Sequence, residues 1–265
     1  MLELLSEHGL RPSRALGQNF VTDPNTVRRI ARLAGVGTGD HVIEIGAGLG
    51  SLTLALVETG ASITAVELDK YLLPVLRTVV EPSGVRVVEG DALRLDWPAL
   101  LDDGDRWVLV ANLPYNVATP LVATLLDDVP QIARMLVMVQ REVGERLAAG
   151  AGDEAYGAVS VKVSYWATAR VVGRVPPTVF VPQPKVESAL VSIVRRPSGP
   201  AVPVSVVEPD RLFEVVRAGF AQRRKMLRRS LAGVVEPAAF ERAGVRPEAR
   251  AEELDVETWG RLAAR

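Results

Sequence analysis

The sequence has no cysteine among its 265 residues. Disulfides, thiolate nucleophiles and cysteine-based zinc sites are therefore excluded. Histidine is nearly as scarce: His8 and His41 stand far apart and form no metal-ligand cluster, so no metal is expected. No apolar run approaches the ~18 residues that a membrane-spanning helix needs. The opening MLELLSEHGL carries acidic residues where a secretory leader has basic ones. These absences point to a cytoplasmic protein with no membrane partner. Lysine is rare too, with only Lys70, Lys162, Lys185 and Lys225, so arginine carries most of the positive charge. Arginine suits phosphate recognition, although a GC-rich coding bias accounts for the same excess. The formal net charge of −1 gives no sign of a nucleic-acid partner, but it hides an asymmetry. From Arg195 onward there are 14 basic and 10 acidic residues, a balance of +4, which leaves −5 for the rest. Local patches matter more than the average.

What is present is ordinary globular material, 48% hydrophobic and 24% charged, enough for one large domain or a medium one with a small companion. Residues 23–36 read as a helix with Asp23 as N-cap, Pro24 at the first helical position and Gly35 at the end. Strand-like and helix-like segments then alternate. HVIEIG (41–46), SITAVEL (62–68), VRVVEGD (85–91), WVLVANLPY (107–115) and ARMLVMVQ (133–140) read as strands. Residues 51–59, 70–80, 117–128 and 141–149 read as the helices between and after them. This alternation predicts a mostly parallel, doubly wound Rossmann-like sheet with ligands at the carboxyl ends of its strands. Val159, Val161, Val163 and Tyr165 alternate, which on its own favours a strand over residues 156–168. VVGRVPPTVF and VESALVSIVRR read as a terminal hairpin closing the sheet. Residues 195–204 read as a proline-rich linker to a small α-helical domain.

Gly46, Gly48 and Gly50 lie in the turn after the first of these strands, where glycine lets the backbone approach a ligand closely. Glu67 ends the next strand, about 20 residues on, where a carboxylate can accept both hydroxyls of an adenosine ribose. Neither feature separates a nicotinamide cofactor from S-adenosylmethionine. The GxGxG spacing fits a ligand without a pyrophosphate better than the dinucleotide GxGxxG does. Gly90-Asp91-Ala92 follows the third strand, and an aspartate there can hydrogen-bond an adenine amino group. Taken alone, Asp91 reads as a cap or turn residue. In phase with Gly46 and Glu67, one per strand end, it reads as a ligand contact.

Asn112-Leu113-Pro114-Tyr115 ends the fourth strand. An adenine amino nitrogen is flat and weakly nucleophilic because its lone pair is delocalised into the ring. Two acceptors placed at its hydrogens draw it toward tetrahedral geometry and aim the lone pair at an electrophilic methyl. Asn112 offers a side-chain oxygen and Leu113 a backbone carbonyl, while Pro114 fixes the turn. Tyr115 can stack on the base. Such a site works by orientation and fixed dipoles and needs no histidine.

With these motifs in order, the sequence resembles the small-subunit ribosomal RNA adenine N6,N6-dimethyltransferase family over nearly its whole length. LGQNFVTD (16–23), EIGAGLGSLT (44–53), ELD (67–69), GDAL (90–93), NLPYN (112–116), VQREVGERL (139–147), PPTVFVPQPKVESALV (176–191) and FAQRRKMLRRSL (220–231) carry the likeness. Ala47 stands where the family usually has proline, and Val21 where it usually has leucine. The resemblance implies S-adenosylmethionine as cofactor, with contacts from Asn19, Val21, Gly46, Glu67, Asp91 and Asn112. Gln18, Gly48 and Ala92 stand beside these in the same motifs. Catalytic roles fall to Asn112, Leu113, Pro114 and Tyr115, with Phe180 stacking on the flipped base opposite Tyr115. Without the family, Phe180 reads as a core residue and Gln18 and Asn19 as loop residues. The resemblance implies a helix over 156–168, and that reading is adopted.

The implied substrate is a pair of adjacent adenosines in the 3′-terminal stem-loop of 16S rRNA within the immature small subunit. The implied division is a catalytic domain over 1–195 and a helical RNA-recognition domain over 196–265, in a monomer. Arg217, Arg223, Arg224, Lys225, Arg228 and Arg229 are expected along one helix of the second domain as phosphate contacts. Residues 211–230 hold seven basic residues against one acidic. Arg141 and Arg146 are weaker candidates. The alternatives are a 23S rRNA adenine methyltransferase of the macrolide-resistance type, against which FVPQPKVES argues, a nicotinamide oxidoreductase, and a non-catalytic subunit-assembly factor on the same fold.

Overall fold

The computed structural model describes residues 2–13, 15–101, 106–114 and 117–264. The chain packs as two units. One is Met1–Gly144 with Val171–Val194; the other is Glu145–Arg170 with Arg195–Arg265.

Among the described residues there are nine strands: β1 Phe20–Val21, β2 His41–Ile45, β3 Ser62–Glu67, β4 Arg86–Glu89, β5 Trp107–Asn112, β6 Ile132–Gln140, β7 Ala167–Val175, β8 Phe180–Val181 and β9 Ser188–Arg195. Seven form one sheet in the order β4-β3-β2-β5-β6-β9-β7, and β1 pairs with β8 in a separate two-stranded sheet. Pairs β2–β3, β2–β5, β3–β4 and β5–β6 are parallel, and β6–β9 is antiparallel. The Rossmann-like sheet with late strands at one edge is thus the expected one. Chain order reverses between β2 and β5, and such a switch point opens a crevice at the carboxyl ends of the strands.

The central strands are mostly apolar because both faces are covered, with Glu44 and Thr64 as buried exceptions. Val42, Ala65, Val87, Val108 and Val110 share a buried cluster with Ile30, Ala31 and Ala34 of helix Pro24–Ala34 and Leu56 of helix Ser51–Val57. The first of these helices begins and ends as the sequence predicts. The Asp23 carboxylate accepts from the backbone N–H of Thr26 at 2.9 Å, and Gly35 closes the helix in the left-handed region at φ 59°.

Residues 145–170 pack with the helical unit, so the packing division differs from the expected 1–195 and 196–265 in that stretch. Tyr156, Val161 and Tyr165 share a buried cluster with Leu212, Phe213, Leu227, Phe240 and Trp259. The Tyr156 hydroxyl donates to the Leu254 carbonyl at 2.9 Å. Residues 158–166 form a helix, Ala158–Trp166, not a strand. The alternating valines mislead because Val161 and Tyr165 are also one helical turn apart, and Ser160 and Val163 are buried as well. The proline-rich stretch is not a loose linker. The N–H groups of Arg196 and Ala201 donate to the carbonyls of Trp166 and Tyr165, and Val202 is buried.

The basic residues do not share one helix. Of the six expected phosphate contacts, helix Pro209–Ala221 holds only Arg217; Arg223, Arg224 and Lys225 lie in the following turn, and Arg228 and Arg229 in the short helix Leu227–Ser230. The helix stops because Gln222 leaves helical geometry and Met226 is extended. Lys225 N–H turns back to the Gln222 carbonyl at 2.7 Å, and Leu227 N–H is taken by the Ala249 carbonyl at 2.8 Å.

Candidate active site

A cavity of about 250 Å³ opens at the carboxyl ends of β2, β3, β4 and β5, at the switch point. Its walls come from four strand ends and from the segment that leads into β1. Gly46 and Gly48 follow β2; Glu67 and Leu68 end and follow β3. Asp91, Ala92 and Leu93 follow β4, and Asn112, Leu113 and Pro114 end and follow β5. Gln18, Asn19 and Phe20 complete one side and Phe180 lies on another. Tyr115, expected opposite Phe180, lies outside the described residues.

The glycine turn is shaped by Glu67. Its carboxylate accepts the Gly48 N–H at 2.7 Å through one oxygen, and the Asp69 and Leu68 N–H groups at 2.8 and 3.0 Å through the other. Gly48 has φ 60°, and a Cβ there would stand 2.9 Å from the Phe20 ring, so both conformation and space require glycine. Burial lifts the Glu67 carboxyl above the ordinary glutamate range, and the three backbone donors pull it back down. Behind the turn, Glu44 is 1% exposed in the middle of β2. Burial raises its carboxyl to about 8, with Thr53 opposing and the Glu67 charge adding to the rise. Glu44 is therefore neutral near pH 7. Its position inside an apolar strand is the only sequence signal that marks it.

Asp91 both caps its turn and lines the cavity. Its carboxylate caps the Leu93 N–H at 3.0 Å and stands 3.7 Å from Arg94, while the residue lines the cavity. Phe180 is likewise both a cavity wall and a core side chain, 3% exposed. Val21 is not brought to the wall. It is buried in β1 opposite Phe180, and its neighbour Phe20 faces the cavity instead.

The decisive arrangement concerns Asn112. Its Nδ2 donates to the Asn19 carbonyl at 3.0 Å, which leaves Oδ1 as a free acceptor among the described residues. The Leu113 N–H is tied to the Met138 carbonyl at 3.0 Å, and no donor among the described residues reaches the Leu113 carbonyl. Two unoccupied acceptors thus stand on adjacent residues of the cavity wall, and the amide of the first is held in one orientation.

Sequence reasoning gave Asp69 no role. The Gln18 Nε2 donates to its carboxylate at 2.8 Å, and the Gln18 Oε1 accepts the Ser13 N–H at 2.7 Å. In the helical unit, Arg223 donates to the Glu154 carbonyl and pairs with Glu252, and Arg228 pairs with Glu248. Arg217, Arg224, Lys225 and Arg229 are exposed and have no carboxylate partner among the described residues.

The fold is that of a Rossmann-like methyltransferase, with the cavity at the sheet's switch point. The sequence profile described as Ribosomal RNA adenine dimethylase matches residues 10–265. The chain belongs to that family. It is 48% identical over 275 residues to a Nocardia farcinica protein named Ribosomal RNA small subunit methyltransferase A, covering 98% of this chain and 92% of that one. The protein of the same name from Bifidobacterium adolescentis is 46% identical over 273 residues, covering 98% and 90%. The crystal structure of a dimethyladenosine transferase from Plasmodium falciparum shares the fold, with a TM-score of 0.77 at 23% identity over 92% of this chain and 95% of that one.

Proposed function

We propose that this enzyme dimethylates the exocyclic amino groups of two adjacent adenosines in the 3′-terminal stem-loop of 16S rRNA, within the immature small subunit. Membership of the adenine dimethylase family and the small-subunit names of the relatives support the substrate. The pair of free acceptors, Asn112 Oδ1 and the Leu113 carbonyl, carries the chemistry. An amino group donating to both acceptors loses conjugation with its ring, and its lone pair turns toward the methyl donor. Pro114 and the buried Phe180 shape the walls around that base.

The residues present fit S-adenosylmethionine. The glycine turn leaves a cradle that a Cβ would fill, and Glu67 offers a buried carboxylate to a ribose. Gln18, Asn19, Gly46, Gly48, Asp91, Ala92 and Asn112 form the rest of that surface, with Val21 acting from behind it. When bound, this cofactor supplies a methyl group on a positively charged sulfur. Arg217, Arg224, Lys225 and Arg229 contact phosphates and set the register of the stem-loop, while Arg223 and Arg228 hold the turn that carries them. The reading places the enzyme in the cytoplasm as a monomer.

The test is mass spectrometry of nucleosides from unmethylated small subunits incubated with enzyme and S-adenosylmethionine. Dimethyladenosine at two adjacent positions near the 16S 3′ end is expected. Methylation confined to large-subunit RNA, or binding of the particle with no methyl transfer, overturns the reading.

A further inference from the structure

The segment entering β1, with β1 itself, touches the turns after β2 and β3, the end of β5, and β8. Gln18 reaches Asp69, two residues beyond Glu67 in the same turn. The Asn19 carbonyl holds the Asn112 amide, the Phe20 ring lies against Gly48, and Val21 pairs with Phe180. Asp69 is itself fixed, since its other carboxylate oxygen accepts the Tyr71 N–H at 3.0 Å. A single hydrogen bond of 2.8 Å therefore joins the turn that presents Glu67 to the segment that aims Asn112.

We infer that Asp69 is a positioning residue that acts through Gln18, and that their hydrogen bond couples filling of the cofactor site to the orientation of the Asn112 amide. The inference rests on the proposed reaction. An amide is nearly symmetric in shape, so packing alone distinguishes its oxygen from its nitrogen poorly. The Asn19 carbonyl makes the distinction by accepting only from Nδ2. If the segment shifts, the amide is free to turn its nitrogen toward the substrate amino group, and two donors then face each other. Asp69 touches no reacting atom in this scheme and acts only through Gln18 and Asn19. The pairing also has a defined exchange. With Gln18→Glu and Asp69→Asn together, the new carboxylate accepts from Ser13 N–H and from the new amide, whose oxygen still accepts from Tyr71 N–H. Either change alone sets two acceptors or two donors against each other.

The experiment is a double-mutant cycle on the full chain with unmethylated small subunits. It reads kcat, KM for S-adenosylmethionine, and binding of S-adenosylhomocysteine by calorimetry. Each single variant is expected to lose about tenfold or more in kcat, and Asp69→Asn, whose residue lines no part of the cavity, is expected to change cofactor binding only about threefold. The exchanged pair is expected to recover most of the loss. Losses in kcat and cofactor binding of equal size in Asp69→Asn, or no recovery in the exchanged pair, would overturn the inference. Hydrogen exchange at the amides of residues 18–21 provides a readout independent of turnover. S-adenosylhomocysteine is expected to slow exchange there in the unaltered protein and in the exchanged pair, but not in Asp69→Asn. Equal slowing in all three overturns the coupling. An unaltered protein that methylates nothing defeats the proposed reaction instead, and the exchange measurement still decides the coupling.

Discussion

The cavity and the arginine-rich turn hold their polar groups in opposite ways. In the cavity, Glu67 is buried under three backbone donors, Asn112 is fixed by a carbonyl, and Asp91 caps its own turn. In the turn after helix Pro209–Ala221, Arg224 and Lys225 are exposed and only Arg223 is tied down. On the proposed reading the contrast follows from what each region recognises. Reorienting an amino group requires dipoles fixed before the substrate arrives. Holding a phosphate requires charge, and a charge on a long exposed stem serves well.

The largest effect is expected from breaking the fixed side of this contrast. Asn112→Ala removes the oriented acceptor and should cost ~10²–10³-fold in turnover, measured in single-turnover methyl transfer. Binding of the small subunit should survive, because the charges that hold it lie elsewhere. Turnover within about twofold of the unaltered enzyme would mean that Asn112 is only a wall.

A smaller effect comes from Glu44, the buried carboxyl behind the glycine turn. In the fold it keeps its proton up to about pH 8, against 4.5 for an ordinary glutamate. Its contribution to stability is therefore complete below pH 4.5 and fades as pH rises toward 8. Urea denaturation across this window should show stability falling by up to ~1.4 kcal/mol per pH unit from this group. The Glu44→Gln variant should show a flatter profile, and an identical slope would place the ionisation elsewhere.

The smallest effect sharpens the loose side. Reversing Arg224 and Lys225 to glutamate should weaken binding to the small subunit and lower the salt slope by ~2. Arg223→Ala should leave the slope nearly unchanged, because that guanidinium is committed to Glu154 and Glu252. A slope that responds equally to both would show that the pairing opens when RNA arrives.

The sheet was legible because each central strand is buried on both faces and so reads as a mostly apolar run. Gly46, Glu67, Asp91 and Asn112 were legible for a related reason, since each stands at or just beyond a strand end. What escaped was set by bonds between distant residues. Gln18 and Asp69 are 51 positions apart, and Asn112 and Asn19 are 93 apart. The break at Gln222 escaped for the same reason, because helical periodicity carries no trace of the Ala249 carbonyl that claims Leu227. The helix over 158–166 came from family likeness, since its own pattern suggested a strand.

The two-stranded sheet of β1 and β8 has a consequence for synthesis. Thr22 donates through both its N–H and its hydroxyl to the carbonyl of Val179, 157 residues later. During translation β1 has no partner until β8 leaves the exit tunnel. The segment that holds the Asn112 amide thus waits, with one edge of its backbone unpaired, while about 160 residues are added behind it. On the proposed reading, methylation competence therefore waits for β8.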